Sequence, residues 1–231
     1  GAAEGQTIVA DSTTVLLYKA LRAAVALRPG RSTIVIDTDN FPTDRFIAEG
    51  VAAELGLHVR WVEADPAGGV TTAALAPLLS DDTAVVMLSH VAYKSGYLAD
   101  AAALTDSIHA AGALALWDLC HSAGVVPTEL DAWGVDYAVG CTYKYLNGGP
   151  GSPAFLYVRH AVLAHAQQPI WGWMGAADVF AMAAEYAPSP GIRQFLSGTP
   201  PVLGMLPMHD MLDAIEAAGM PQIRAKSVAL T

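Results

Sequence analysis

The sequence predicts an α/β protein with three layers, in which helices cover both faces of a mainly parallel sheet. Short apolar runs of strand length alternate along the chain with segments whose apolar residues recur at helical spacing. The strand segments are continuously apolar, which is typical of a sheet that is buried on both faces. Hydrophobic residues make up 53% of the 231 residues, so the chain can bury one substantial core.

Six segments have the character of buried strands, and helical segments lie between several of them. The predicted strands are residues 33–36, 59–62, 84–88, 113–117, 137–141 and 154–158. The predicted helices are residues 15–27, 43–55, 71–79 and 100–111, and Gly30, Gly56 and Gly112 stand where C-terminal caps are expected. Helices between successive strands indicate crossover connections, which favour a parallel sheet.

The pattern is looser after residue 158. Segments rich in Trp, Gly and Pro predict long ordered loops, followed by helices over residues 207–217 and 222–231. Residues 6–10 have almost nothing before them, and the last helix stops without a cap, Gly or Pro. We therefore expect an N-terminal portion and the continuation of the last helix to be missing.

Composition limits the partners and the compartment. The net charge of -10 arises without any basic cluster, so we expect no nucleic-acid partner. We expect no membrane partner, because no signal segment and no apolar run near the roughly 20 residues of a membrane span is visible. The two cysteines cannot form a disulfide framework, which fits a cytoplasmic protein. Cys120, His121 and Cys141 lack a second pair at ligand spacing, so no metal site is expected.

Lys144 and Asp118 have the clearest chemistry. Lys144 lies between two tyrosines at the end of an apolar strand and just before the glycine-rich residues 148–151, while Asp118 ends the preceding apolar strand. A lysine amine can form a Schiff base with a cofactor aldehyde, and a carboxylate can keep a pyridine nitrogen protonated. The pair therefore fits pyridoxal phosphate. A solvated acid at a strand end and a lysine that extends into solvent are the alternatives.

Two further segments fit a ligand site at the carboxyl ends of parallel strands. Thr13 and Thr14 precede a predicted helix, where hydroxyls and free amides can bind phosphate, although an ordinary N-cap explains them as well. Phe41 follows a strand and could stack on a planar cofactor, or it packs under its loop while Asp44 caps the next helix. Motifs for nucleoside triphosphates, dinucleotides and serine hydrolases are missing from the sequence.

Taken in order, these motifs resemble the kynureninase family, in the class V aminotransferase group of fold type I pyridoxal phosphate enzymes. The resemblance covers essentially the whole chain. Cysteine desulfurases of the same group usually have Gln in place of His121 and His in place of Tyr143. The residues that carry the resemblance are Thr13-Thr14, Phe41-Pro42-Thr43-Asp44, Ser89, Asp118-Leu119-Cys120-His121 and Tyr143-Lys144-Tyr145-Leu146-Asn147.

The resemblance implies a role for each motif. Lys144 would carry the cofactor and remove the substrate α-proton, Asp118 would pair with the pyridine nitrogen, and Tyr143 could donate a proton. His121 would support Asp118, and Phe41 would stack on the ring. The other implied cofactor contacts are Thr13, Thr14, Pro42, Thr43, Asp44 and Ser89, with Trp173 and Thr199 reaching the second subunit of a homodimer that shares its active sites.

The implied activity is hydrolysis of L-kynurenine or 3-hydroxykynurenine to anthranilate or 3-hydroxyanthranilate and L-alanine. This reaction belongs to tryptophan catabolism by the kynurenine pathway, which leads to NAD biosynthesis. Residues 1–221 would form the cofactor-binding large domain, and residues 222–231 would begin the helix towards an absent C-terminal small domain. That domain supplies the arginine for the substrate carboxylate, so we expect this chain alone to bind substrate poorly. A cysteine desulfurase, a β-eliminating lyase and a non-catalytic structural fragment remain as alternatives.

Overall fold

A computed structural model describes residues 1–231 and contains one seven-stranded sheet. Six of its strands coincide closely with the predicted segments, and the seventh is an additional N-terminal strand. The strands are β1 (Thr7–Ala10), β2 (Thr33–Asp37), β3 (His58–Val62), β4 (Thr83–Ser89), β5 (Leu114–Asp118), β6 (Tyr137–Cys141) and β7 (Ala154–Val158).

The strand order is β1-β7-β6-β5-β4-β2-β3. Strands β2 to β6 are parallel, whereas β7 is antiparallel to both of its neighbours, β6 and β1. Six strands therefore point in one direction and only β7 points in the other. The predicted three-layer α/β fold with a mainly parallel sheet is confirmed.

Seven α-helices connect or follow the strands, and Gly56 caps one of them in the left-handed conformation, as its position predicted. The prediction for residues 71–79 was partly wrong, because only four residues are α-helical and a 3-10 turn over Ala76–Leu78 follows them. The helices are α1 (Thr13–Ala26), α2 (Pro42–Leu55), α3 (Thr72–Leu75), α4 (Ala101–Ala110), α5 (His160–Leu163), α6 (Val202–Ala218) and α7 (Met220–Leu230).

Helix α6 begins earlier than the sequence predicted. We expected its start at Pro207, because proline is favoured in the first turn of a helix, but Pro207 lies inside the helix. A proline there removes one hydrogen bond to the carbonyl four residues earlier, which belongs to Leu203. Leu203 is 83% exposed, so water can reach that part of the helix. Helix α7 likewise begins at Met220 rather than at residue 222.

The core consists of two apolar clusters, one on each face of the sheet. Helices α1 and α2 pack on one face, where Leu16, Leu17 and Leu21 are fully buried against the strands. Helices α3 and α4 cover the other face, around Trp117 and Leu104. This arrangement leaves the carboxyl edge of the sheet open between the helix layers. None of the helices is both long and apolar enough to cross a membrane.

Candidate active site

A cleft opens at the carboxyl edge of the sheet. Strands β1, β5 and β6 end there, and β7 begins there because it runs in the opposite direction. Several chain segments that are far apart in sequence therefore meet at one place, as expected for open α/β sheets. The cleft is lined by Ser12, Thr13, Thr14, Phe41, Thr43, Asp44, Asp118, Cys120, Tyr143, Lys144, Ser152 and Ala154.

Lys144 projects its amine into this cleft. Its Nζ lies 3.0 Å from Nε2 of His121 and 5.6 Å from the centre of the Phe41 ring. Burial, and then the charge of Lys144, lower the pKa of His121, so the imidazole is neutral at neutral pH. A neutral Nε2 can accept a hydrogen bond from the lysine amine. The arrangement holds a primary amine beside an aromatic face.

Two buried carboxylates form the floor of the cleft. Asp118 and Asp44 are only 5% and 1% exposed. The backbone N–H of Cys120 donates to Oδ1 of Asp118 at 2.6 Å, whereas Oδ2 of Asp44 is buried without any hydrogen-bond partner. Burial, and next the charge of Asp118, raise the pKa of Asp44 well above its usual value, while Lys144 opposes the shift. Such a site favours a ligand that brings a hydrogen-bond donor or a positive charge.

Helix α1 presents its N-terminus to the cleft. The hydroxyl of Ser12 caps the helix by accepting from the backbone N–H of Val15. Neither Thr13 nor Thr14 is needed for this cap, although both line the cleft. The first amides of a helix have no intrahelical partners, and the helix dipole adds a partial positive charge there. Hydroxyls and amides at this position can together hold an anion such as a phosphate monoester.

Ser89 lies beside the cleft rather than in it. Its hydroxyl donates to Oδ1 of the buried Asn40 at 3.0 Å, and the backbone N–H of Phe41 donates to the same oxygen. Asn40 in turn donates to Asp37, whose pKa burial raises to about 6. Ser89, Asn40 and Asp37 border a small neighbouring cavity, which Tyr93 also lines. The network links Ser89 to the loop that carries Phe41.

Trp173 and Thr199 lie outside the cleft. Trp173 begins a 3-10 turn and borders a separate surface pocket with Trp171 and Tyr186. Its side chain is 44% exposed, and Thr199 is exposed as well. Within this single chain the two residues are therefore separate from Lys144. Pro42 is the first residue of α2 and does not border the cleft itself.

The cleft also includes residues that the motif analysis did not select. Ser152 is 8% exposed and borders the cleft, and the hydroxyl of Thr142 donates to its Oγ at 2.8 Å. Ala154 and Cys120 line the cleft as well. Ser152 follows the glycine-rich turn and enters the site because β7 pairs antiparallel with β6. No local motif in the sequence signals that position.

The family comparison agrees with this architecture. A family model described as aminotransferase class-V matches residues 1–231 of the chain. The chain belongs to the aminotransferase class-V family. The group expected from the motifs is thus confirmed over the full length of the sequence.

The chain is similar in sequence to several kynureninases. It is 46% identical over 237 aligned residues to the kynureninase of Pseudomonas fluorescens, covering 100% of this chain and 55% of that protein. It is 44% identical over 232 residues to the kynureninase of Deinococcus radiodurans, covering 100% of this chain and 54% of that protein. The resemblance drawn from the motifs is confirmed. The chain spans about half the length of the curated relatives that it matches.

Two solved structures share the fold. A cysteine desulfurase from Thermococcus onnurineus NA1 superposes with a TM-score of 0.83 at 20% identity, covering 96% of this chain and 54% of that one. The cystine C-S lyase C-DES, in complex with its product cysteine persulfide, superposes with a TM-score of 0.80 at 20% identity, covering 93% of this chain and 57% of that one. At these identities the likeness concerns the fold alone.

Proposed function

We propose that this chain is the cofactor-binding part of a kynureninase. The enzyme would use pyridoxal phosphate to hydrolyse L-kynurenine, or its 3-hydroxy form, to anthranilate, or its 3-hydroxy form, and L-alanine. One observation carries the proposal: the Lys144 amine, the Phe41 ring and the buried Asp118 share one cleft with the N-terminus of α1. The identity of 44–46% to kynureninases along the whole chain supports this choice of substrate.

The residues of the cleft fit pyridoxal phosphate. A protonated ring nitrogen would provide the positive donor that Asp118 and the unpartnered oxygen of Asp44 call for. Phe41 would cover one face of the ring, and Thr13 and Thr14 would bind the phosphate together with the first amides of α1. When bound, the cofactor supplies an electron sink for the bonds at the substrate α-carbon.

The protein groups around the cofactor would handle its protons. Lys144 would hold the cofactor aldehyde and, once released, take the α-proton of the substrate, because its amine lies beside the ring position that Phe41 defines. The neutral imidazole of His121 would orient that amine. Burial raises the pKa of Tyr143, so its phenol stays protonated and can donate a proton. The overall reaction adds water across the Cβ–Cγ bond, which leaves a carboxylate on anthranilate.

We also propose a cytoplasmic homodimer that shares its active sites and takes part in tryptophan catabolism. Trp173 and Thr199 would contact the cofactor of the partner subunit, which accounts for their position outside their own cleft. The acidic balance of the chain disfavours a nucleic-acid partner. Light scattering after gel filtration measures the oligomeric state, and a monomer with full cofactor binding would contradict the shared site.

Cofactor attachment tests the proposal most directly. Added pyridoxal phosphate should give a visible absorbance band, and borohydride reduction should fix the cofactor mass on the peptide that contains Lys144. Lys144→Ala should lose both signals. Lys94→Ala is the matched control, because Lys94 is an exposed lysine that pairs with Asp39 beside the neighbouring cavity.

Substrate choice is tested on the loaded protein. This chain alone is expected to bind substrate poorly, so the loaded full-length enzyme is used. L-kynurenine should change its absorbance band, with anthranilate fluorescence as the product signal, and L-cysteine should not. Sulfide formed from cysteine, in the presence of a thiol reductant for a desulfurase or without one for a lyase, with no response to kynurenine, would favour one of those enzymes instead. A wild type that never attaches pyridoxal phosphate would leave only the non-catalytic interpretation.

A further inference from the structure

Lys19 is a fully buried lysine in the middle of α1. Its side chain has 0% exposure, and its Nζ donates to Oδ2 of Asp11 at 2.6 Å and to the backbone carbonyl of Phe195 at 2.9 Å. Burying an ammonium group is costly unless partners replace its water shell, and an apolar side chain could fill the same space. The charge therefore calls for a role beyond packing.

The partner of Lys19 stands at an unusual backbone position. Asp11 has φ of 43°, in the left-handed region that non-glycine residues seldom adopt. It is the link between β1 and Ser12, the N-cap of α1. Its backbone carbonyl accepts from the N–H of Ala154 at 3.2 Å, and its carboxylate accepts from Lys19. The turn that leads from β1 into α1 is thus fixed by two contacts, one to the carbonyl and one to the carboxylate of Asp11.

The second partner connects α1 to another region. Phe195 is fully buried and ends the 3-10 turn Ile192–Phe195, four positions before Thr199. Through one ammonium group, Lys19 joins the start of α1 to the segment that leads to Thr199. A change in the ion pair would therefore move the N-terminus of α1 relative to the cleft, while the apolar core around α1 stays packed.

We propose that Lys19 is a positioning residue for phosphate recognition. It holds Asp11 in its left-handed conformation, and this sets the direction in which Thr13 and Thr14 and their amides face the cleft. The inference rests on the proposed function, since the phosphate is that of pyridoxal phosphate. Lys19 itself touches no ligand, because the cleft is lined by Ser12, Thr13 and Thr14 from this region.

The test compares pyridoxal phosphate with pyridoxal, which lacks the phosphate. Dissociation constants for both are measured on the wild type, Lys19→Met, Asp11→Asn and the double variant. We expect the phosphate preference, the ratio of the pyridoxal constant to the pyridoxal phosphate constant, to fall about tenfold in Lys19→Met. The double variant should be no worse than Lys19→Met alone, because the two groups act as one unit.

Arg22→Met is the matched control. Arg22 lies on the same helix and loses an ion pair with Glu54, but it is not among the residues that line the cleft. The control should keep the phosphate preference. If Lys19→Met fails to fold, Asp11→Asn tests the inference alone. We expect this variant to fold, because the Asp11 side chain is 29% exposed and asparagine tolerates the left-handed conformation.

The outcomes separate the inference from the proposed function. If the variants bind both compounds more weakly by the same factor, Lys19 is merely structural and the inference is wrong. Unchanged ratios in folded Lys19→Met and Asp11→Asn overturn it as well. If the wild type shows no phosphate preference at all, the proposed phosphate binding by Thr13, Thr14 and the first amides of α1 is wrong. This inference is then wrong as well.

Discussion

Two buried aspartates at opposite ends of the sheet, Asp136 and Asp44, differ in their hydrogen-bond partners. At the amino end, the fully buried Asp136 accepts from His109 at 2.7 Å, from the backbone N–H of Ala115 at 2.9 Å and from Arg159 at 2.6 Å. At the carboxyl end, Asp44 keeps one buried oxygen without a partner, and Asp118 lies close enough to raise its pKa. The chain itself therefore satisfies the buried Asp136 carboxylate at the amino end, whereas one buried oxygen of Asp44 at the carboxyl end has no partner.

The pKa shifts of three aspartates follow the same division. A hydrogen bond from Thr33 lowers the pKa of Asp82 at the amino end, whereas burial raises the pKa of Asp44 and Asp37 at the carboxyl end. The satisfied carboxylate of Asp136 contributes to stability, and the unpartnered oxygen of Asp44 is tolerated because the rest of the fold compensates. The contrast teaches that ligand-binding capacity and stability are placed at opposite ends of the same strands.

Asp136→Ala should produce the largest effect at the amino end. Removal of this carboxylate leaves Arg159 and a buried backbone N–H without their acceptor, so we expect the free energy of unfolding to fall by about 3 kcal/mol. Urea denaturation measures the change, and the surface variant Lys94→Ala serves as the control, with a change near zero. A loss of stability as small as that of the control would contradict the claim that the Asp136 carboxylate stabilises the fold.

Asp118→Asn should act on the ligand instead of the fold. The variant would lose the charged hydrogen bond proposed between Asp118 and the ring nitrogen, so we expect pyridoxal phosphate to bind roughly thirtyfold more weakly, equivalent to about 2 kcal/mol. Titration of the absorbance band gives the dissociation constant. The midpoint of urea denaturation of the ligand-free protein should not fall, and a fall as large as that of Asp136→Ala would mean that both ends serve stability.

Asp44→Asn should stabilise the ligand-free protein, by about 1 kcal/mol at pH 8. The folded pKa of Asp44 lies above the unfolded value of 3.8, so between the two the folded state binds more protons than the unfolded state. The contribution of Asp44 to the free energy of unfolding therefore falls as pH rises through this window. Denaturation curves from pH 4 to pH 8 should show a weaker decline in Asp44→Asn than in the wild type. Destabilisation at pH 8 would contradict the contrast with Asp136.

His121→Ala should give the smallest effect. It removes one hydrogen bond from the Lys144 amine, so we expect cofactor attachment to weaken about fivefold, equivalent to about 1 kcal/mol. His121→Gln keeps an acceptor near the amine and should recover most of the loss. Equal losses in the two variants would show that the ring of His121 matters through its shape and not through this hydrogen bond.

Much of the fold could be predicted from local sequence patterns. Continuous apolar runs located six strands, and helical spacing located α1, α2 and α4 to within a few residues. Strand β1 could not be predicted as a partner of β7, because their pairing joins residues that are far apart in the chain. The start of α6 was missed because exposed helix backbone can tolerate Pro207.

The candidate site could be predicted only in part, for a related reason. Asp118, Lys144 and Phe41 were found because each follows a strand, and parallel strands bring such positions to one edge. Ser152 could not be predicted, because it lines the cleft only as a result of the antiparallel pairing of β7. The role proposed for Lys19 could not be predicted either, since a lysine at helical spacing on α1 gives no sign that its partners are Asp11 and Phe195.

The pairing of β1 with β7 also affects the order in which parts of the protein fold during synthesis. Thr7 pairs with Tyr157 and Ala10 with Ala154, so the strand that leads into α1 finds its partner only near residue 158. Closing so long a loop is slow compared with forming local contacts. On the ribosome, the pairing of β1 with β7, which holds the strand that leads into α1, must therefore wait until β7 has been synthesised. The phosphate site proposed at Thr13 and Thr14 can therefore be complete only after that moment, however early these two residues emerge.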